Sequence, residues 1–246
     1  MQTASQNPMS IWGIVGLGWL GQALSESLRQ SGCVVWGTHR ETFVFGKDIF
    51  PSDYCDVLLL NVPPLLDIDP ERFVSEISLA PTARLIFVSS TSVYGTHQGA
   101  CSEEVTPEPT TDNGKWLLNV EELLRQQFAE RSLVIRPGGL LGGQRHPGFH
   151  LKADRIYAGG ENPINFIHRE DLINIIKLSA QNHLSGVLNA VTPYHPSKES
   201  YYTQWLNQRG LAVPSFEMCY TTHKVVSSKI LPTFYTSWVC PHLDSL

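Results

Sequence analysis

The sequence predicts an α/β fold, a doubly wound parallel sheet followed by a small C-terminal lobe, and three observations predict it. Short apolar runs alternate with helical patterns from Ile11 onward. The first run, Ile11–Val15, opens into the glycine turn Gly16-Leu17-Gly18-Trp19-Leu20-Gly21. Later runs such as Val57-Leu58-Leu59-Leu60 are apolar throughout, as strands covered on both faces are.

The elements follow in order. A strand at Ile11–Val15 precedes a helix at Trp19–Ser31, closed by Gly32. In the turn between them, Gly16 permits the tight bend and Gly18 lets backbone approach a pyrophosphate. Gly21 lets the helix pack close to the strand, while Trp19 and Leu20 lie at the helix start. That start offers unpaired N–H groups and partial positive charge to phosphates. The turn predicts a Rossmann-like dinucleotide site. A second strand, Val34–Gly37, runs into Thr38-His39-Arg40. An NAD site usually has an acidic residue here for the ribose 2′-OH. Thr38, His39 and Arg40 are all donors suited to a 2′-phosphate, and Glu41 comes late, so NADP is expected ahead of NAD.

Between Arg40 and Asp56 there is little room for a crossover helix and another strand. This stretch is expected to be a loop, with Phe43–Phe45 a brief strand at most. The third strand, Val57–Asn61, brings Asn61 and Val62 to the cofactor edge. A helix at Glu71–Leu79 has Pro70 at its first turn, where a missing N–H is harmless. Strands at Leu85–Ser89, Leu133–Arg136 and Val187–Val191 and helices at Lys115–Gln127, Asp171–Ala180 and Glu199–Arg209 complete the pattern. Residues 11–137 and 168–191 are expected to form the dinucleotide-binding core. Residues 138–167 and 192–246, rich in Gly, Pro and His, are expected to form the small substrate lobe over the C-terminal edge of the sheet.

Composition narrows the function. The chain has 246 residues and a formal net charge of -5, which argues against a nucleic-acid partner. No apolar stretch is long enough to span a membrane. Residues 1–10 are polar, lack the regions of a signal peptide, and read as a disordered lead-in. Cys33, Cys55, Cys101, Cys219 and Cys240 are scattered, with no C-x-x-C and no His at ligand spacing. Reduced thiols in a cytoplasmic protein, and no metal, are expected.

The segment Phe87-Val88-Ser89-Ser90-Thr91-Ser92-Val93-Tyr94-Gly95 runs a strand into consecutive hydroxyl residues and then Val-Tyr-Gly. It resembles the extended short-chain dehydrogenase/reductase family of sugar-nucleotide epimerases and dehydratases. Leu133-Val134-Ile135-Arg136-Pro137-Gly138 resembles that family's strand and turn beside the nicotinamide. Asn165–Leu172 resembles its F-I-H-V-x-D-L segment, and Val187–Val191 the strand that follows. The short chain and truncated second crossover resemble the atypical branch, specifically its small bacterial epimerase-like members.

The resemblance implies a catalytic hydroxyl at Ser90 and cofactor contacts from Ser89, Arg136, Pro137 and Gly138. It implies substrate or cofactor contacts from Thr91 and Ser92, and places His168 near the lobe junction as a candidate substrate contact. It also implies dimerisation through the helix bearing Lys115. Arg145 and His146, in a Gly-rich stretch, could hold an anion and move a proton. The chain departs from the family at the Tyr-x-x-x-Lys pair. Thr111-Asp112-Asn113-Gly114-Lys115 keeps the Lys, a ligand for the nicotinamide ribose, but has Thr in place of Tyr. An aliphatic hydroxyl ionises far too weakly to replace a phenol, and losing a general acid–base typically costs about 10² to 10⁴ in rate. With Ser90, Lys115 and Thr111 as the catalytic candidates, two readings stand. One is an NADP-binding epimerase-like oxidoreductase or isomerase for a small molecule, with nucleotide sugars as one class. The other is a non-catalytic NADP sensor or scaffold that has lost its Tyr.

Overall fold

The computed structural model describes residues 10–51 and 54–243. Of the expected polar lead-in only Ser10 is among them; the rest of it lies outside the described residues. The core of the fold is a parallel sheet of six strands, as the sequence predicts. In chain order the strands are β1 (Ile11–Val15), β2 (Val34–Thr38), β3 (Val57–Leu60), β4 (Arg84–Val88), β5 (Ala100–Cys101), β6 (Ser132–Pro137), β7 (Gly139–Leu141), β8 (Ile156–Tyr157), β9 (Phe166–His168), β10 (Gly186–Ala190), β11 (Ser215–Phe216) and β12 (Val225–Val226). The helices are α1 (Trp19–Gln30), α2 (Pro70–Ser75), α3 (Asp112–Phe128), α4 (Arg169–Gln181) and α5 (Lys198–Gln208). The main sheet has the order β10-β6-β4-β3-β1-β2.

The chain divides into two compact units. The first comprises Met1–Ser89, Lys115–Ile135 and Ile176–Val187. In it β1 pairs with β2 on one side and β3 on the other, both parallel. The chain therefore reverses its winding direction at β1, and the crevice of such a sheet opens beyond the carboxyl ends of the strands at that reversal. β3 is buried along its whole length, which accounts for its unbroken apolar sequence. The stretch after β2 is a loop, and Phe43–Phe45 does not form a strand. Phe43, Phe45 and Phe50 are buried instead, and Phe45 packs on Phe73 of α2 with ring centroids 4.5 Å apart. Phe73 in turn meets Trp116 at 5.1 Å. This aromatic cluster ties the loop to α2 and α3.

Local chemistry explains the helix ends. α2 starts where Asp69 accepts hydrogen bonds from the N–H groups of Glu71 and Arg72, with Pro70 at its first position. It stops at Ser75, short of the expected Leu79. α1 buries Leu20, Leu24 and Leu28 on one stripe, and no side chain caps its N-terminus at Gly18.

The second unit comprises Ser90–Gly114, Arg136–Ile175 and Leu188–Leu246. Three short parallel pairs organise it: β5 with β12, β7 with β9, and β8 with β11. Its core includes Leu141, Ile164, Tyr201, Tyr202 and Leu243. The hydroxyl segment from Ser90 onward belongs to this unit.

Candidate functional site

In the first unit the three glycines of the turn meet three different demands. Gly16 has φ +105°, a conformation L side chains rarely adopt, and a Cβ there would collide with the Asn61 carbonyl. A Cβ on Gly21 would collide with the carbonyl oxygen of Gly16, so this glycine sets the close approach of α1 to the turn. Gly18 is different. It has φ -79°, it is exposed, and a Cβ built on it meets nothing within 4 Å. The fold gives no reason for a glycine at this position; the space beside it is open.

Neighbouring strands brace the turn. Asn61 Nδ2 donates to the Gly16 carbonyl at 2.9 Å, and the Gly16 N–H donates to Thr38 Oγ1 at 3.3 Å. The Leu17 N–H donates to the Thr38 carbonyl at 2.8 Å. Thr38 and Asn61 thus clamp the turn from β2 and from the end of β3, and Val62 follows Asn61 beside Gly16. Leu20 is buried with its side chain in the core, so it can offer a ligand only its backbone. Trp19 is half-buried. His39 and Arg40 are exposed just past β2. Arg40 Nε pairs with Glu41 at 3.0 Å, both side chains largely in solvent, and the guanidinium holds the Glu41 carboxyl below its ordinary range. Such a surface pair is weak, which leaves Arg40 able to turn to another anion.

At the end of β4, the buried Ser89 hydroxyl donates to the carboxylate of Glu121 on α3, itself only 1% exposed. Glu121 lies in the helix's apolar stripe beside Leu117, Val120 and Leu124, all buried. An acidic residue in an otherwise apolar helical stripe is the sequence signal for this contact. In the second unit, Ser90 caps the short 3₁₀ turn Thr91–Tyr94. Its Oγ accepts the Ser92 N–H at 3.1 Å, so the hydroxyl proton remains directed elsewhere and can donate to a reacting oxygen. Thr91 is half-buried and Ser92 exposed.

Thr111 has a definite structural task. Its Oγ1 accepts the Gly114 N–H at 3.1 Å, the arrangement of a helix N-cap, and α3 accordingly begins at Asp112 rather than at Lys115. That bond engages the hydroxyl oxygen as an acceptor and leaves its proton, like that of Ser90, directed elsewhere. A Cβ on Gly114 would lie 3.2 Å from the Ser92 carbonyl, so this glycine allows the helix start to meet the hydroxyl turn. Lys115 is exposed, as are Asn119 and Glu122. At ~100° per residue it lies about 120° around α3 from Glu121.

Tyr94 and Arg136 are both buried, at 1% and 3% exposure. The Tyr94 hydroxyl donates to Asn189 Oδ1 at 2.9 Å and accepts from Arg136 at 2.8 Å. Burial raises its pKa against the opposing Arg136 charge. Asn189 continues the network, its N–H donating to Glu103 and its side chain to the Ser227 carbonyl. Pro137 is buried after Arg136, and the Gly138 N–H donates to the Ala190 carbonyl.

Arg145 is exposed in a tight turn closed by two backbone hydrogen bonds with Gly142. His146 is placed otherwise than expected. It is 2% exposed and stacks on Trp205 with ring centroids 3.8 Å apart. Its Nδ1 accepts the Gly148 N–H at 2.9 Å, and Nε2 meets the Tyr201 hydroxyl at 2.9 Å. Burial, aided by the Arg209 charge, lowers its pKa to about 4. A ring with both nitrogens engaged in the core cannot serve as a substrate contact, which corrects that expectation. His168 is also buried; Nδ1 accepts the Glu170 N–H at 3.3 Å, and burial lowers its pKa. One of its ring nitrogens, a carboxylate oxygen of Asp171 and the Cys240 sulfur all lie within 4.8 Å of one another. Asp171 already accepts from the Tyr235 hydroxyl at 2.6 Å and from the N–H groups of Val239 and Cys240. It anchors the C-terminal segment. None of the five cysteines is in a disulfide, and no described helix is long and apolar enough to cross a membrane.

No protein-family profile matches the chain. It is 33% identical to Protein YeeZ of Escherichia coli (strain K12), across 82% of this chain and 85% of that protein. Among solved structures it is similar to a putative NAD-dependent epimerase/dehydratase from Methylobacillus flagellatus, with a TM-score of 0.74, 20% identity, and 95% and 94% of the two chains covered. It is similar also to human epimerase family protein SDR39U1 with NADPH, with a TM-score of 0.72, 17% identity, and 95% and 96% covered. A dTDP-4-dehydrorhamnose reductase from Yersinia enterocolitica has a TM-score of 0.71, 18% identity, and 93% of each chain covered. At these identities the structural likeness is one of fold.

Proposed function

The chain belongs to the family of Protein YeeZ, on the fold of the epimerase-like short-chain dehydrogenases, and from that premise we propose an NADP-binding, epimerase-like oxidoreductase or isomerase. Its substrate in this reading is a small molecule or a nucleotide sugar. The observation that carries the proposal is the open space at Gly18, at the start of a helix with no side-chain cap. An uncapped helix start with clear space before it suits a pyrophosphate.

In this reading the nicotinamide dinucleotide supplies the hydride chemistry, and the chain supplies binding and orientation. The α1 N-terminus with Gly16, Gly18, Trp19, Leu20 and Gly21 holds the pyrophosphate, and Asn61 and Thr38 keep the turn rigid. His39 and Arg40 take the 2′-phosphate, with Glu41 released to water. Ser90 donates its proton to the reacting oxygen, and Lys115 approaches the ribose. Ser89, fixed by Glu121, orients the loop, Arg136–Gly138 line the nicotinamide side, and Thr91, Ser92 and Arg145 face the substrate. An aliphatic hydroxyl at Thr111 ionises too weakly to replace the missing phenol. The missing Tyr favours a second reading, a dinucleotide sensor without turnover. Sustained NADPH oxidation with carbonyl substrates separates the two.

Calorimetric titration tests the cofactor assignment. NADPH should bind roughly tenfold or more tightly than NADH, and Arg40→Ala should remove most of that preference. Equal affinity for the two cofactors would contradict it.

A further inference from the structure

A cavity lies in the first unit, at the amino ends of the strands, opposite the edge that carries the glycine turn. Its volume is about 480 Å³, within the ordinary range for a small-molecule pocket. Trp12, Leu28, Val57 and Ala180 supply an apolar wall. Arg84, Arg131 and Lys177 supply three cations, all half-buried.

Those cations are fixed by neutral acceptors. Lys177 Nζ donates to the hydroxyls of Ser27 and Ser31 at 3.0 and 2.9 Å. Arg84 donates to the carbonyls of Glu130, His183 and Leu184. Arg131 donates to the carbonyls of Ala80, Pro81 and Ala83. Carbonyl and hydroxyl dipoles bring only partial negative charge to each cation. Among the described residues of the lining Asp56 is the one carboxylate, and it accepts the Ile11 N–H at 2.7 Å. Burial holds the Arg84 guanidinium below its ordinary range, opposed by the Glu130 charge. Three positive groups held in fixed positions around an apolar wall leave an excess of positive charge facing the cavity.

We propose that this cavity is a second ligand site, which takes a small organic anion whose carboxylate, sulfonate or phosphate head meets Lys177, Arg84 and Arg131 while its apolar body lies on Trp12 and Leu28. The preformed geometry favours binding, since the head groups need no reordering. The proposal is independent of the dinucleotide assignment, because no residue of the glycine turn lines the cavity.

The probe is 8-anilinonaphthalene-1-sulfonate, an aromatic anion that fluoresces in apolar surroundings. It is titrated into the full chain with and without saturating NADPH, and into Lys177→Met and Lys177→Arg. Arg84 and Arg131 are left in place because each holds three backbone carbonyls. The site predicts saturable enhancement that NADPH does not displace, weakened roughly tenfold in Lys177→Met and retained in Lys177→Arg. Circular dichroism of both variants checks the fold. Displacement by NADPH, or equal affinity in a folded Lys177→Met protein, would overturn the proposal.

Discussion

Single residues in this protein separate function from structure by the way their polar atoms are engaged. His146 could be read from sequence as an acid or base in a flexible loop. Its burial depends on Tyr201, Trp205 and Gly148, the first two far away in sequence, and no local pattern announces them. The engaged ring has a measurable consequence. With its folded pKa near 4, below the ordinary value of 6.5, the unfolded chain binds the proton more readily between those values. The stabilisation is complete above about pH 6.5 and is lost as pH falls toward 4, by up to about 3 kcal/mol. Urea unfolding at pH 7.5 and pH 5 should show that loss, and His146→Phe should reduce it. His168 and His195, also lowered by burial, add the same sign, so part of the slope should survive the substitution.

At the scale of elements, the sequence made the sheet legible because each strand is an apolar run near its observed bounds. The glycine turn was legible too, since its spacing reflects collisions that any side chain at Gly16 or Gly21 would meet. The start of α3 was not. Gly114 disguised the first turn of the helix, although Thr111 before Asp112 carries an N-cap signal. The three small strand pairs were also hidden. Cys101 and Val226 pair across more than half the chain, and strands of two or three residues carry no periodicity. The capping role of Thr111 can be checked. Thr111→Val should cost about 1 kcal/mol of stability and leave NADPH affinity and turnover unchanged, while Thr111→Ser should restore the stability. A loss of turnover at unchanged stability would return Thr111 to catalysis.

For the whole molecule, the proposed dinucleotide site depends on an unfilled position at the end of β1. Gly16 and Gly21 are required by the fold, so substituting them would confuse loss of binding with loss of structure. Gly18 is not so constrained, and Gly18→Val provides the direct measurement. The variant should unfold within about 1 kcal/mol of the parent, the small difference reflecting a poorer helix N-cap. Calorimetric titration of that folded variant with NADPH should show no binding, because the new side chain occupies the approach of the pyrophosphate. Parent-like NADPH affinity in a folded Gly18→Val protein would contradict the dinucleotide site itself.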